Sequence, residues 1–203
     1  MKTLISAAVL ALATPALAQS AAADAGTPPA HGKGGHGQGG AHAEHGAAAA
    51  KPAGSSGSVR VSMQDAQGKS VGEVMLEQTP AGILMRGNLS GLPPGVHAIH
   101  VHEVGQCQAP FTTAGAHFNP LKREHGLMNK KGHHAGDLPN ITVGADGKAQ
   151  FEALSADLTL GKGKASVMDK DGSSVVVHAK ADDHTSGPAG NAGDRIACGV
   201  ITK

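Results

Sequence analysis

The chain has no tryptophan, no tyrosine and only three phenylalanines in 203 residues. A core built on large aromatic side chains is therefore excluded, and burial must come from aliphatic residues and methionine. An excess of one charge is also missing: 17 Lys and Arg against 16 Asp and Glu leave a formal charge of +1. That balance argues against nucleic acid as the main partner. Long apolar runs are scarce. The N-terminus, MKTLISAAVLALATPALAQS, has one lysine, an apolar run from Leu4 to Ala13, and Ala16-Leu17-Ala18 as a small-residue cleavage site. The run is shorter than the roughly 20 residues needed to span a bilayer. Residues 1–18 are expected to be a signal peptide cleaved near Ala18, leaving an exported protein with no membrane span.

Between residues 19 and 57 there is no Val, Ile, Leu, Met or Phe. Nothing there offsets the entropy lost on ordering, so this stretch is expected to be a disordered Ala/Gly/His-rich tail. It contains HGKGGHGQGGAHAEHG, in which His31, His36, His42 and His45 are spaced irregularly. Such a composition either chelates divalent metals loosely or serves as a solubilising linker. Cysteine is nearly absent too. In an exported chain Cys107 and Cys198 can pair, or they can remain as two buried thiols.

Residues 58–203 read as one domain with almost no helical periodicity. Val59, Val61 and Met63 alternate with polar partners, as do Val74 and Leu76, and Ile83, Met85 and Leu89 share one face of GILMRGNLS. Further short segments are ITV at 141–143, AQFEAL around Phe151, ASVM near 165, SVVVHAK at 174–180 and RIACGVI at 195–201. Asp146-Gly147 and Asp171-Gly172 are turn signals that favour hairpins. About eight such strands predict an all-β, antiparallel sandwich or Greek-key barrel. Two stretches do not fit short turns, 104–140 and 181–194. Loops of that length in a compact domain are usually functional or disordered.

The domain holds nine of the thirteen histidines, seven of them between 97 and 134. Alternation puts His100 and His102 on one face of a strand, with Ile99 and Val101 on the other. In SVVVHAK, Val175 and Val177 take the core face and turn His178 outward, so the three imidazoles can meet outside the barrel wall. Imidazole nitrogen suits copper and zinc. The first long loop adds His117, His125, His134 and Asp137, a set able to close a tetrahedral zinc site without an open position. His97 shares the core face and is expected to donate to a carbonyl, and His133 and His184 are expected at the loop surface. Glu103 is either internally bonded or exposed.

The domain resembles a copper/zinc superoxide dismutase of the secreted bacterial type. The resemblance rests on GVHAIHVHEVGQC (95–107), GAHFNPLKREHG (115–126), HAGDLPNI (134–141), VVVHAKADD (175–183) and GNAGDRIACGVI (190–201), in family order. It implies an eight-stranded antiparallel Greek-key β-barrel, an immunoglobulin-like sandwich, with two long functional loops. It assigns copper to His100, His102, His117 and His178, and zinc to His117, His125, His134 and Asp137, with His117 bridging as imidazolate. It also implies Asp182 as the carboxylate that orients His100 and His125, a Cys107–Cys198 disulfide, and Arg195 with His117 as the catalytic side chains. The implied reaction converts two superoxide anions and two protons to dioxygen and hydrogen peroxide through alternating copper(II) and copper(I). The expected location is periplasmic or otherwise secreted, as monomer or homodimer. Lys122, Arg123, Lys130 and Lys131 are candidates for steering the anion, or a solvated loop face. Two other classes compete: a metal carrier working through its histidine tail, and a zinc hydrolase, which a saturated zinc set disfavours.

Overall fold

The computed structural model describes residues 57–202, so the signal-peptide and tail expectations lie outside the described residues. Nine strands are present among the described residues: β1 Ser58–Asp65, β2 Ser70–Thr79, β3 Gly82–Ser90, β4 Gly95–His97, β5 Ile99–His102, β6 Ile141–Val143, β7 Lys148–Ser155, β8 Ser173–His178 and β9 Arg195–Ile201. One short 3-10 turn spans Thr112–Ala114. No helix among the described residues is long and apolar enough to cross a membrane.

Seven strands form one antiparallel curled sheet in the order β5-β8-β9-β1-β2-β3-β7, and β4 pairs with β6 separately. The hairpins β1-β2-β3 are sequential, whereas β9 beside β1 and β7 beside β3 require the crossing connections of a Greek key. β4 and β5 are one segment in sequence, split at Ala98, where the chain leaves β6 for β8. There the Ala98 N–H donates to Lys180 O (2.8 Å), and Ala98 O accepts from the His178 N–H (2.9 Å). Counted as one, they restore the expected eight.

The strands exist because apolar residues recur every second position. Val61 and Met63, Val74 and Leu76, Ile83 and Met85, Ile99 and Val101, and Val175 and Val177 all enter one core. It contains no residue larger than Phe118, in keeping with the poverty in aromatics. On the opposite face Val176 and Cys198 join Phe111 and Ala114 in a small second cluster beneath the first long loop.

Two expectations fail. ASVM near 165 is not a strand: Ser166 makes only an isolated bridge to Thr159. With no strand there, Asp171-Gly172 leads into β8 rather than closing a hairpin. The reason is tertiary: Gln78 on β2 holds the adjoining stretch, accepting from Thr159 Oγ1 (2.8 Å) and the Leu160 N–H (2.7 Å), and Thr159 in turn takes up Ala165 O (2.9 Å) and the Val167 N–H (3.0 Å).

The two long loops lie where expected, between β5 and β6 and between β8 and β9. The first folds back on β5 through a closed set of backbone bonds: Phe118 N to Val101 O (2.8 Å), Val101 N to Gly136 O (2.9 Å) and Gly136 N to Phe118 O (2.9 Å). Only glycine fits at 136, because a Cβ there would overlap Val101 O. The result is a pair of bridges, His100 to Asp137 and His102 to His117, which bring loop residues against the strand histidines.

Candidate metal centre

The outer face of β5 and β8 carries His100, His102 and His178, as alternation predicts, but the loops cover it. All three are buried, as are His117, His125, Asp137 and Asp182, with His134 nearly so. Two groups result whose ligand atoms lie within 4.8 Å of one another: His100, His102, His117 and His178, and His117, His125, His134 and Asp137. His117 belongs to both.

Hydrogen bonds at the outer ring nitrogens decide which atoms face inward. The Nδ1–H of His102 donates to Gly115 O (3.0 Å), that of His178 to Gly193 O (3.3 Å), and the Nε2–H of His100 to Asp182 Oδ2 (2.8 Å). A neutral imidazole has one N–H, so the remaining nitrogen of each ring presents a lone pair. His102 Nε2 and His178 Nε2 thus face each other at 3.3 Å with no proton between them. His100 Nδ1 and His117 Nε2 are buried without any partner. Four converging lone pairs fit a cation that prefers imidazole nitrogen, which is what copper requires.

Burial favours the neutral form these rings need. It pushes His102 down to about 2, His178 to about 3 and His117 to about 4, helped by repulsion among the rings and, for His102 and His178, by nearby Arg195. His100 is lowered by burial as well.

In the second group one carboxylate oxygen gathers three rings. Asp137 Oδ1 faces Nδ1 of His117 (2.8 Å), His125 (3.1 Å) and His134 (3.3 Å), and Oδ2 accepts from the N–H groups of Gly126 (2.9 Å) and His134 (3.0 Å). Burial alone would raise the Asp137 pKa, but the three histidine bonds overcome it and hold the carboxyl far below its usual range. Burial lowers His125, yet its bonds to Asp137 and Asp182 prevail and raise it to about 9. Three nitrogens and one carboxylate oxygen fit zinc, with no side chain missing from a four-ligand set. Asp182 touches both groups, through His100 and through His125 Nε2 (3.1 Å).

The sequence profile of the family Copper/zinc superoxide dismutase (SODC) matches residues 70–201. The chain belongs to that family. A Cu-Zn superoxide dismutase of Aquifex aeolicus is 46% identical over 138 residues, 66% of this chain and 82% of that protein. Among solved structures, a superoxide dismutase-like protein from Bacillus subtilis superposes with TM-score 0.68 at 40% identity, over 70% of this chain and 97% of that one. The Cu/Zn superoxide dismutase from Brucella abortus gives 0.61 at 33% identity, over 71% and 99%. By membership the chain is a superoxide dismutase, an oxidoreductase whose metals are copper and zinc.

Within this superoxide dismutase the cysteines are joined, Cys107 to Cys198, with Cα atoms 5.6 Å apart. Arg195 stands at the start of β9 beside a cavity of about 240 Å³, lined also by Pro110, Thr112, Gly193 and Asp194. Its guanidinium donates to Phe111 O (2.6 Å) and Gly115 O (2.7 Å), and Gly115 O also accepts from His102. One carbonyl therefore ties the arginine to a strand histidine.

His97 behaves as expected, with both ring nitrogens 2.8 Å from carbonyls, those of His178 and Pro93. Glu103 is exposed, and its Oε1 accepts from the Ala116 N–H (3.1 Å). His133 stays at the loop surface, about a third exposed. His184 does not: its ring turns inward, with Nδ1 buried and unpartnered and Nε2 3.2 Å from Asn140 Nδ2. A positive φ of 59° at His184 bends the loop back on itself, which parity along the chain does not reveal. Phe111, Gly115, Asn140 and Gly190 were also missed, because they act through carbonyls, an amide or empty space. Gly115, Asn140 and Gly190 do lie in the stretches that carry the resemblance, 115–126, 134–141 and 190–201, but those stretches assign them no role.

Proposed function

We propose that this chain is an exported enzyme that disproportionates superoxide, with the domain at 58–203 as the working unit. His100, His102, His117 and His178 hold copper, and His117, His125, His134 and Asp137 hold zinc. The observation that carries this assignment is the convergence of four lone pairs, two on facing nitrogens and two on buried atoms without partners. Copper, when bound, supplies the one-electron exchange with superoxide, alternating between its +2 and +1 states.

The chain's own residues do the rest. Arg195 binds the anion: its guanidinium is fixed by two carbonyls at the mouth of the cavity, so little side-chain freedom is lost when superoxide arrives. Burial lowers its pKa, but a guanidinium keeps its charge in proteins. His117 Nε2 is the atom placed to hold and release one of the two protons, while Nδ1 stays on the zinc side, among His125, His134 and Asp137. Asp182 orients His100 and His125 by their second nitrogens. Arg123 and Lys131 pair with Asp157 and Glu124, whereas Lys122 and Lys130 make no ion pair among the described residues and are the better steering candidates. Export fits the joined cysteines, which persist in oxidising compartments such as the periplasm.

Arg195→Ala is expected to leave both metals bound but lower turnover roughly 10- to 100-fold, the worth of a charge-assisted hydrogen bond, and to flatten the dependence of rate on salt. Metal analysis and superoxide consumption across ionic strength check this; undiminished turnover contradicts it. The carrier alternative places function in the tail. Deleting residues 19–57 is expected to leave superoxide consumption of the copper-loaded protein unchanged, and loss of activity at full copper loading would favour the tail.

A further inference from the structure

Asp182 belongs to neither group yet touches His100 of the copper group and His125 of the zinc group, and it lies on a loop rather than a strand. Something must fix it in place. Asn140 sits just before β6 and approaches Asp182 from 42 residues away. Its Oδ1 accepts from the Asp182 N–H (2.8 Å) and its Nδ2 donates to the Asp182 carbonyl (2.9 Å). One carboxamide thus satisfies both backbone groups of residue 182, as a neighbouring strand would. Its other Nδ2 hydrogen points to His184 Nε2 (3.2 Å), and the His184 N–H donates to Asp182 Oδ1 (2.6 Å).

The opposite side is closed by Gly190. It is buried with φ 60°, and a Cβ there would overlap Asp182 Oδ1 and crowd His125 Nε2 at 2.9 Å. Its carbonyl accepts from the Asp183 N–H (2.9 Å), which keeps the glycine against the carboxylate. Backbone fixed from one side and oxygens bounded from the other leave Asp182 a single position.

We infer that Asn140, with Gly190 facing it, is the positioning residue that sets the Asp182 carboxylate and, through it, the metal-facing nitrogens of His100 and His125. This rests on the site assigned above, in which Asp182 orients one ligand of each metal. Asn140 ties the end of the first long loop to the second, so the two metal seats share one mechanical reference. Neither residue belongs to either ligand group.

The test uses the full chain loaded with copper(II) and zinc(II). Four variants are compared: Asn140→Ala, Gly190→Ala, Asp182→Ala and, as a control, Gln78→Ala. Gln78 makes four hydrogen bonds that anchor residues 79, 82, 159 and 160, none of them a proposed ligand. The readouts are zinc(II) retention against a competing chelator, the copper(II) electron paramagnetic resonance spectrum, and the melting temperature of the metal-free protein. Asn140→Ala and Gly190→Ala are expected to weaken zinc retention about 10- to 100-fold and to shift the copper spectrum. Gln78→Ala is expected to lower the melting temperature and leave both metal readouts unchanged. If Asp182→Ala releases zinc while Asn140→Ala holds it, or Asn140→Ala loses no more than Gln78→Ala, the inference is overturned and the site stands. If Asp182→Ala itself holds zinc with an unaltered spectrum, the orienting role of Asp182 fails and this inference with it.

Discussion

His117→Ala is expected to empty both metal sites at once and abolish superoxide consumption. Its ring is the only side chain in both groups, with Nδ1 at 2.8 Å from Asp137 Oδ1 and Nε2 buried without a partner on the other side. Removing a residue that merely orients a ligand typically weakens metal binding 10- to 100-fold. Removing a shared ligand is expected to exceed roughly 100-fold for each metal, since each seat loses a bond and gains a hole. The comparison that gives this meaning is with His125→Ala and His178→Ala, which should affect zinc and copper retention separately. Metal content after dialysis against chelator, measured for all three, reads the pattern directly. Zinc held at wild-type strength by His117→Ala would show that the ring does not serve both sites.

The Cys107→Ser/Cys198→Ser double variant is expected to lose about 4 to 5 kcal/mol of stability, the loop-closure entropy of a crosslink between residues 91 apart. Denaturant unfolding of the metal-free protein, compared with the disulfide-bonded parent, measures it. A loss below about 1 kcal/mol would mean that the unfolded chain is not the state the bridge constrains. A second effect should appear in the folded fraction. Cys198 packs with Phe111 in the small outer cluster, and Phe111 O is one of the two acceptors that hold Arg195. Loosening that turn frees the guanidinium, so turnover per folded, metal-loaded molecule should fall toward that of Arg195→Ala.

The legible parts were those in which neighbours along the chain decide the outcome. His100 and His102 share a face because side chains on a strand alternate, and Val175 with Val177 set the facing of His178 in the same way. The loop residues His117, His125, His134 and Asp137 were legible only through the resemblance and the density of histidine, and the structure brings their ligand atoms within 4.8 Å of one another. ASVM near 165 shows the opposite case. Its pattern is strand-like, yet Gln78, some eighty residues away, takes the adjoining backbone for a loop. His184 was misplaced for a related reason: its positive φ and its contact with Asn140 depend on where the second loop lands.

By itself the amino-acid sequence determined an aliphatic all-β domain, the outward row of strand histidines and a set of ligand types suited to copper and zinc. These follow from side-chain alternation and donor chemistry, which act over a few residues. Only the tertiary structure decided that the outward row is buried, that the strand breaks at Ala98, and that Asn140 and Gly190 enclose Asp182. Those outcomes depend on how distant segments return to one another, where hydrogen-bond partners are chosen by the closed path of the chain and not by any local period.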